Sequence, residues 1–154
     1  EPLLMRAREV SPYFTAQETA NCLWGLSRLK RDAYEVIFYL TKRLREEPLT
    51  RALKLQEATT ILYSLGKLDI RDEYAFKTLS GLIFDMVGGS EVDSSNEPPP
   101  TAIAHVLWAH RQVHLPPPQE ILNAWAKKKL GIVPIATSMN WEDEYEFVDF
   151  EADL

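Results

Sequence analysis

Three histidines, His105, His110 and His114, are the side chains best suited to metal or acid–base chemistry, and two of them lie four residues apart. On a helix that spacing stacks two imidazoles on one face. Two ligands do not complete a site: no Glu stands beside His110 as in a metalloprotease helix, no Cys is near, and Leu115-Pro116 ends the helix at once. The histidines are therefore expected to be ordinary surface or interface residues. Gly88-Gly89 lacks the Lys-Ser or Lys-Thr that follows in a phosphate loop, and a helical pattern supplies no strand-turn-helix setting for a nucleophile. The chain is expected to be no enzyme and to take no metal, cofactor or small-molecule substrate.

Binding chemistry is better represented. Cations fall at the turns between predicted helices: Arg28, Lys30 and Arg31, then Lys67 and Arg71, then Arg111. Aligned along one edge they would form a stripe that RNA phosphates could track, with affinity carried by counterion release. Asp32, Asp69 and Asp72 stand close enough to neutralise them, which leaves a solvated surface as the other reading. Asn21, Thr60 and His105 occupy one shared helix slot, where they could reach bases or simply line a neutral surface. Trp24, Tyr63 and Trp108 recur beside Leu at another slot; they could stack on bases, but core spacers between packed units are the expectation.

The stretch from Asn140 to Leu154 alternates acids with aromatics and is too acidic to fold alone. Trp141, Tyr145, Phe147 and Phe150 are expected to anchor on a partner protein whose basic patch meets the carboxylates. Capping of the end of this same array is the other reading.

The elements that must carry these residues are helices in a repeat. Phe14–Leu29 and Leu53–Leu68 align at an offset of 39, matching Gln17-Glu18 to Gln56-Glu57, Leu23-Trp24 to Leu62-Tyr63, and Leu26 and Leu29 to Leu65 and Leu68. A third segment from Thr101 to Val113, offset by 45, puts Leu107-Trp108 in the Leu-aromatic slot. After each comes a second apolar helical pattern starting near Asp32, Asp72 and Pro117: Ala33, Ile37, Leu40 and Leu44; Phe76, Leu79, Ile83 and Met86; Ile121, Leu122, Trp125 and Ala126. Asp32, Asp72 and Thr101 are expected N-caps, and Gly131 a helix stop.

The expected fold class is all-α: a right-handed α-solenoid of about three helix-pair repeats, about 38–45 residues each, with an extended acidic tail. The expected boundaries are 1–10 for the end of a preceding helix, 11–137 for the repeat domain and 138–154 for the tail. The repeats fall at 14–45, 53–87 and 101–130 around a disordered insertion at 88–100, where Gly, Ser and Pro replace periodicity.

Composition sets the outer bounds. In 154 residues, 45% are hydrophobic and 26% charged, which suits one ordinary folded domain. Every apolar run is broken before it reaches the roughly 18 residues that span a bilayer, so membrane insertion is not expected. Cys22 is alone, so a reducing compartment fits. The chain opens on Glu1, and is expected to be a processed form or a piece of something longer. Net charge is −6, but seven acids and no base lie in Trp141–Leu154, leaving 17 Lys and Arg against 16 Asp and Glu before it. A neutral body is unlike a free-standing nucleic-acid binder.

The pattern Phe-Thr-x-Gln-Glu-x-x-Asn-x-Leu-Trp-x-Leu-x-x-Leu over Phe14–Leu29 resembles the first helix of octotricopeptide repeats, and of the related repeats of FAST-kinase-like and RAP-domain proteins. The resemblance covers about Phe14 to Lys129. Tyr63 stands where those repeats have Trp, Thr101-Ala102 replaces Gln-Glu, and His110 sits in a Leu slot. It implies a helical array in an organelle, the mitochondrial matrix, that binds RNA, ribosomal RNA included, alongside other subunits of a larger assembly. The function it implies is a non-catalytic subunit of an organellar ribonucleoprotein such as the mitoribosome. The alternative is a structural or accessory subunit of a respiratory or ATP synthase complex without RNA contact; the neutral body favours it, and the repeat pattern favours the first.

Overall fold

A computed structural model describes residues 2–29, 33–88 and 101–130. Among the described residues the protein is all-α, with eight α-helices, one short 3-10 turn at Ser11–Tyr13 and no strand. The helices are α1 (Pro2–Val10), α2 (Ala16–Leu29), α3 (Tyr34–Arg43), α4 (Glu47–Ala52), α5 (Leu55–Lys67), α6 (Glu73–Met86), α7 (Thr101–Gln112) and α8 (Gln119–Leu130).

Each main helix buries the apolar stripe that its sequence spacing announces. Ala16, Ala20, Leu23 and Leu26 go under α2; Val36, Ile37 and Leu40 under α3; Ala58, Ile61, Leu62 and Leu65 under α5; Ala75, Phe76, Leu79 and Ile83 under α6; Ile103, Val106 and Leu107 under α7; Ile121 and Leu122 under α8. They join one continuous core. Helix α5 is its hub, packed against α2 on one side, α7 on the other and α6 behind. Thus α2, α5 and α7 lie side by side with α5 in the middle.

The start of α2 explains the Glu of the Gln-Glu pairs seen in the sequence. Thr15 Oγ1 accepts from the Glu18 amide at 3.2 Å, while the Thr15 amide donates to Glu18 Oε2 at 2.7 Å, a reciprocal capping box. The Thr15 backbone amide, helped by its hydroxyl, holds the Glu18 carboxyl below the usual carboxylate range. At α5 the Glu57 carboxylate likewise accepts from the Lys54 amide at 2.9 Å. Asp72 caps α6 through the Ala75 amide at 3.0 Å. The other two expected caps do not hold: α3 starts one residue later than expected, with Ala33 at its N-cap in place of Asp32 and no side-chain cap, and Thr101 is already a helical residue of α7. The expected stop at Gly131 lies outside the described residues.

Helices α5 and α7 end in the same way. Asp69 and His114, 45 positions apart, both take left-handed backbone, with φ of 56° and 55°. In each case a bond spans five residues back, Ile70 amide to Leu65 carbonyl at 2.9 Å and Leu115 amide to His110 carbonyl at 3.0 Å. Bonds spanning three residues, from the Asp69 amide to the Gly66 carbonyl and from the His114 amide to the Arg111 carbonyl, both 3.2 Å, complete two Schellman motifs, each followed by an apolar residue.

Two features depart from the sequence reading. Helix α4 was not foreseen: Pro48 sits in its first turn, where a missing amide costs nothing, and buried Leu49 plugs the space beside α2. Met86, placed on the apolar stripe of α6, is exposed, because the stripe has left the core by that last turn. Arg43 tethers the chain before α2, donating from Nη1 to the carbonyls of Ser11 and Phe14.

Helix α5 comes so close to α7 that only a small residue fits between them. A Cβ on Gly66 would stand 3.0 Å from Ala109 Cα and 3.2 Å from its Cβ, whereas one on Gly25 of α2 would meet nothing within 4 Å. Helix propensity favours Ala over Gly by about 1 kcal/mol at both places. At Gly66 the overpacking, about 1–3 kcal/mol, outweighs it. Urea denaturation should therefore show Gly25→Ala more stable than the parent and Gly66→Ala less stable.

Candidate functional site

Four positions per helix recur in a common order along α2, α5 and α7. On α2 they are Gln17, Asn21, Trp24 and Arg28; on α5, Gln56, Thr60, Tyr63 and Lys67; on α7, Thr101, His105, Trp108 and Gln112, with Arg111 adjacent. Spacings of four, three and four residues keep each set on one side of its helix. Read from amino to carboxyl end the order is polar, polar, aromatic, then cation or amide. No carboxylate occupies any of these positions.

The rings meet across the helices. Tyr63 and Trp108 stack with centroids 4.6 Å apart and planes inclined at 21°, and His105 meets Tyr63 edge-on at 5.7 Å. Tyr63 is 4% exposed, in keeping with a spacer between helices. Trp24 differs, at 41% exposed; packing alone does not account for that ring. Between Trp24 and the Tyr63–His105 pair lies a 320 Å³ cleft, lined also by Leu55, Gln56, Thr59, Thr60 and Ala102. It is mostly apolar, with amide, hydroxyl and imidazole groups at its walls, a suitable surface for a flat ring carrying polar edges.

The cations sit one turn beyond the rings. The Arg28 guanidinium lies 5.7 Å from the Trp24 centroid, and Lys67 Nζ lies 5.9 Å from that of Tyr63. Arg28 and Lys67 thus belong to the groove side, together with Thr60 and His105. Asn21 shares their face by its spacing, while Arg111 falls in the slot of Ser27 and Gly66, one position before that of Lys67. Arg71 does not join them: it lies before α6, 3.6 Å from Glu73, on the far side with Tyr34, Phe38 and Tyr74. Lys30, Arg31, Trp141, Tyr145, Phe147 and Phe150 lie outside the described residues.

Larger clefts of 690 and 650 Å³ flank α3 on that far side. Their charges are matched locally, Arg8 to Glu35 at 2.9 Å and Arg45 to Asp72 at 3.6 Å, so they present little net charge to a ligand. Exposed Tyr34, Phe38 and Tyr74 make this the protein's aromatic outer surface, with Arg45 over Tyr74 at 5.0 Å.

His110 overturns the expectation that all three histidines are surface or interface residues. It is 2% exposed, with Nδ1 3.1 Å from the Leu115 carbonyl and Nε2 2.8 Å from Ser80 Oγ. A carbonyl only accepts, so Nδ1 carries the proton and Nε2 accepts from the serine hydroxyl. Burial pushes the imidazole down to about 4, only partly countered by the Leu115 carbonyl. A buried neutral Ser–His pair with no opening to solvent holds helices together rather than attacking a substrate. Cys22 is half-buried, and burial raises its thiol above the ordinary value, which makes it a poor nucleophile.

Among the described residues no three His, Cys, Asp or Glu side chains gather into a metal-binding group, and no helix is long and apolar enough to cross a membrane. The capping box and the ordered face were both readable in the sequence, the first from Thr-x-x-Glu and the second from the common offset of 39 carried through all four positions. No family model, curated protein or solved structure matches this chain.

Proposed function

We propose that this protein is a non-catalytic subunit of an organellar, mitochondrial ribonucleoprotein, built as an α-solenoid of helix pairs. Its α2–α5–α7 face binds single-stranded RNA, and neighbouring subunits cover the other side. One observation carries the reading: a face whose repeated positions hold no carboxylate and on which each helix offers polar groups and then an aromatic, with Arg28 and Lys67 one turn beyond on α2 and α5. Bases stack on exposed aromatic rings, phosphates favour the cations, and polar side chains reach base edges. The two matching Schellman ends and the two Glu caps support the solenoid. The organelle and the ribonucleoprotein setting come from the sequence resemblance.

A neutral body and the exposed Tyr34, Phe38 and Tyr74 support a second reading, an accessory subunit of a respiratory or ATP synthase complex that touches protein alone.

Fluorescence anisotropy with a labelled oligouridylate of roughly twelve nucleotides separates them. Trp24→Ala should weaken binding about 5- to 100-fold, the loss of one stacked base. Replacing Arg28, Lys67 and Arg111 together by Ala should reduce the salt slope by about 2, at about 0.7 per phosphate contact on a single strand. Wild-type protein that shows no salt-dependent binding ends the RNA reading. Crosslinks from native assemblies that fall on Tyr34, Phe38 and Tyr74, with no RNA recovered, would establish the second.

A further inference from the structure

The groove and the acidic aromatic stretch of the same chain have matching chemistry. The groove offers the Trp24 face, the cleft beside Tyr63 and His105, and Arg28 and Lys67 beside their rings, with no carboxylate at its repeated positions. Trp141–Leu154 offers Trp141, Tyr145, Phe147 and Phe150 interleaved with seven acids and no base. An aromatic beside a carboxylate presents a flat ring and a negative charge, the same pair of features that a nucleotide presents with its base and phosphate. A surface suited to one is suited to the other.

The chain's path allows the contact. Helix α8 follows α7 after a short connection and packs against it, and Ala102 of α7 is itself a wall of the cleft. Residues 131–140 then precede Trp141, enough chain to reach about 35 Å. Packed helices lie only about 8–10 Å apart, so crossing from α7 over α5 to Trp24 lies well within that length. The intramolecular event also has a high effective concentration, which lets individually weak contacts persist.

We propose that Trp141–Leu154 occupies the α2–α5–α7 groove of the free protein as a nucleotide mimic, and that RNA must displace it. The docking stands on the groove's own chemistry; the competition rests on the RNA reading above. Its consequence is selectivity, because short or weakly stacking strands lose to the tethered segment while long ones win.

The test uses the full chain and a variant with Trp141→Ala, Tyr145→Ala and Phe147→Ala, which keeps all seven acids and hence the long-range field. Two quantities are read: the NMR resonances of the Trp24 indole, Thr60 and His105 without RNA, and affinity for the same labelled oligouridylate. The expected result is a shift of all three groove resonances and an affinity gain of about tenfold. Groove resonances identical in the two proteins overturn the proposal, whatever occupies the groove instead. If they shift while neither protein binds RNA, the intramolecular docking stands and the RNA reading falls; if they do not shift while both bind RNA equally, the reverse holds.

Discussion

Phe76→Ala should cost about 3–5 kcal/mol, the largest loss expected from any single truncation in this core. Phe76 is 1% exposed and is the bulkiest of the fully buried side chains. It projects from α6 and meets the His110 ring of α7 edge-on, with centroids 5.0 Å apart and planes at 88°. Removing it takes away its own transfer energy, leaves a cavity between α6 and α7, and deprives His110 of the ring edge that holds it. Domains of this size have only about 5–15 kcal/mol to lose, so the variant should be partly unfolded near body temperature. Phe38→Ala is the matched control: the ring is exposed at the surface of α3, and its loss should change stability by under about 0.5 kcal/mol. Urea midpoints measured by circular dichroism check both. Equal losses for the two variants would show that α6 and α7 are not packed as described.

Stability should fall as pH drops below about 6.5 because the buried His110 imidazole resists protonation in the folded protein. The folded imidazole titrates at about 4, while an unfolded one titrates near about 6.5. In that window the unfolded chain binds the extra proton, so stability rises with pH; it is complete above about pH 6.5 and lost as pH falls toward 4. The linkage amounts to about 2 kcal/mol by pH 5, and about 3 kcal/mol over the whole interval. His110→Leu places an apolar side chain where the corresponding positions of α2 and α5 carry Leu26 and Leu65. It should be less stable than the parent at pH 7, since Ser80 and the Leu115 carbonyl lose their partner, at about 1–3 kcal/mol. Its decline from pH 7 to pH 5 should be shallower by about 2 kcal/mol. Carboxylates such as Glu18 titrate alike in both proteins and cancel in the difference. Parallel pH profiles for the two proteins would refute the buried neutral imidazole.

The pH result and the Phe76 result probe one junction from two directions. Ser80, Phe76 and His110 join α6 to α7, while Gly66 and Ala109 set how closely α7 approaches α5. Both contacts place Trp108 against Tyr63, and so close one wall of the groove. Loosening the junction should therefore weaken ligand binding even though neither Phe76 nor His110 lines the cleft.

What the sequence determined by itself is local in origin. Helical periodicity placed Leu23, Leu40, Ile61, Leu79, Leu107 and Ile121 inside, because a side chain's angular position on a helix follows from its number in the chain. The offset of 39 put Asn21 and Thr60, Trp24 and Tyr63, and Arg28 and Lys67 on matching faces for the same reason. Tertiary structure decided which of these faces meet, and how openly. His110 reads as one of three surface histidines until Ser80, thirty residues earlier, arrives as its partner and makes burial of a polar ring tolerable. Trp24 and Tyr63 share one slot, yet Tyr63 is covered because α2 and α7 lie on either side of α5, while Trp24 is left half open because, among the described residues, α5 is the one helix of that row packed closely against α2. Helix α4 shows the same limit, since six residues are too few to be stable as a helix alone and exist as one because Leu49 finds the core.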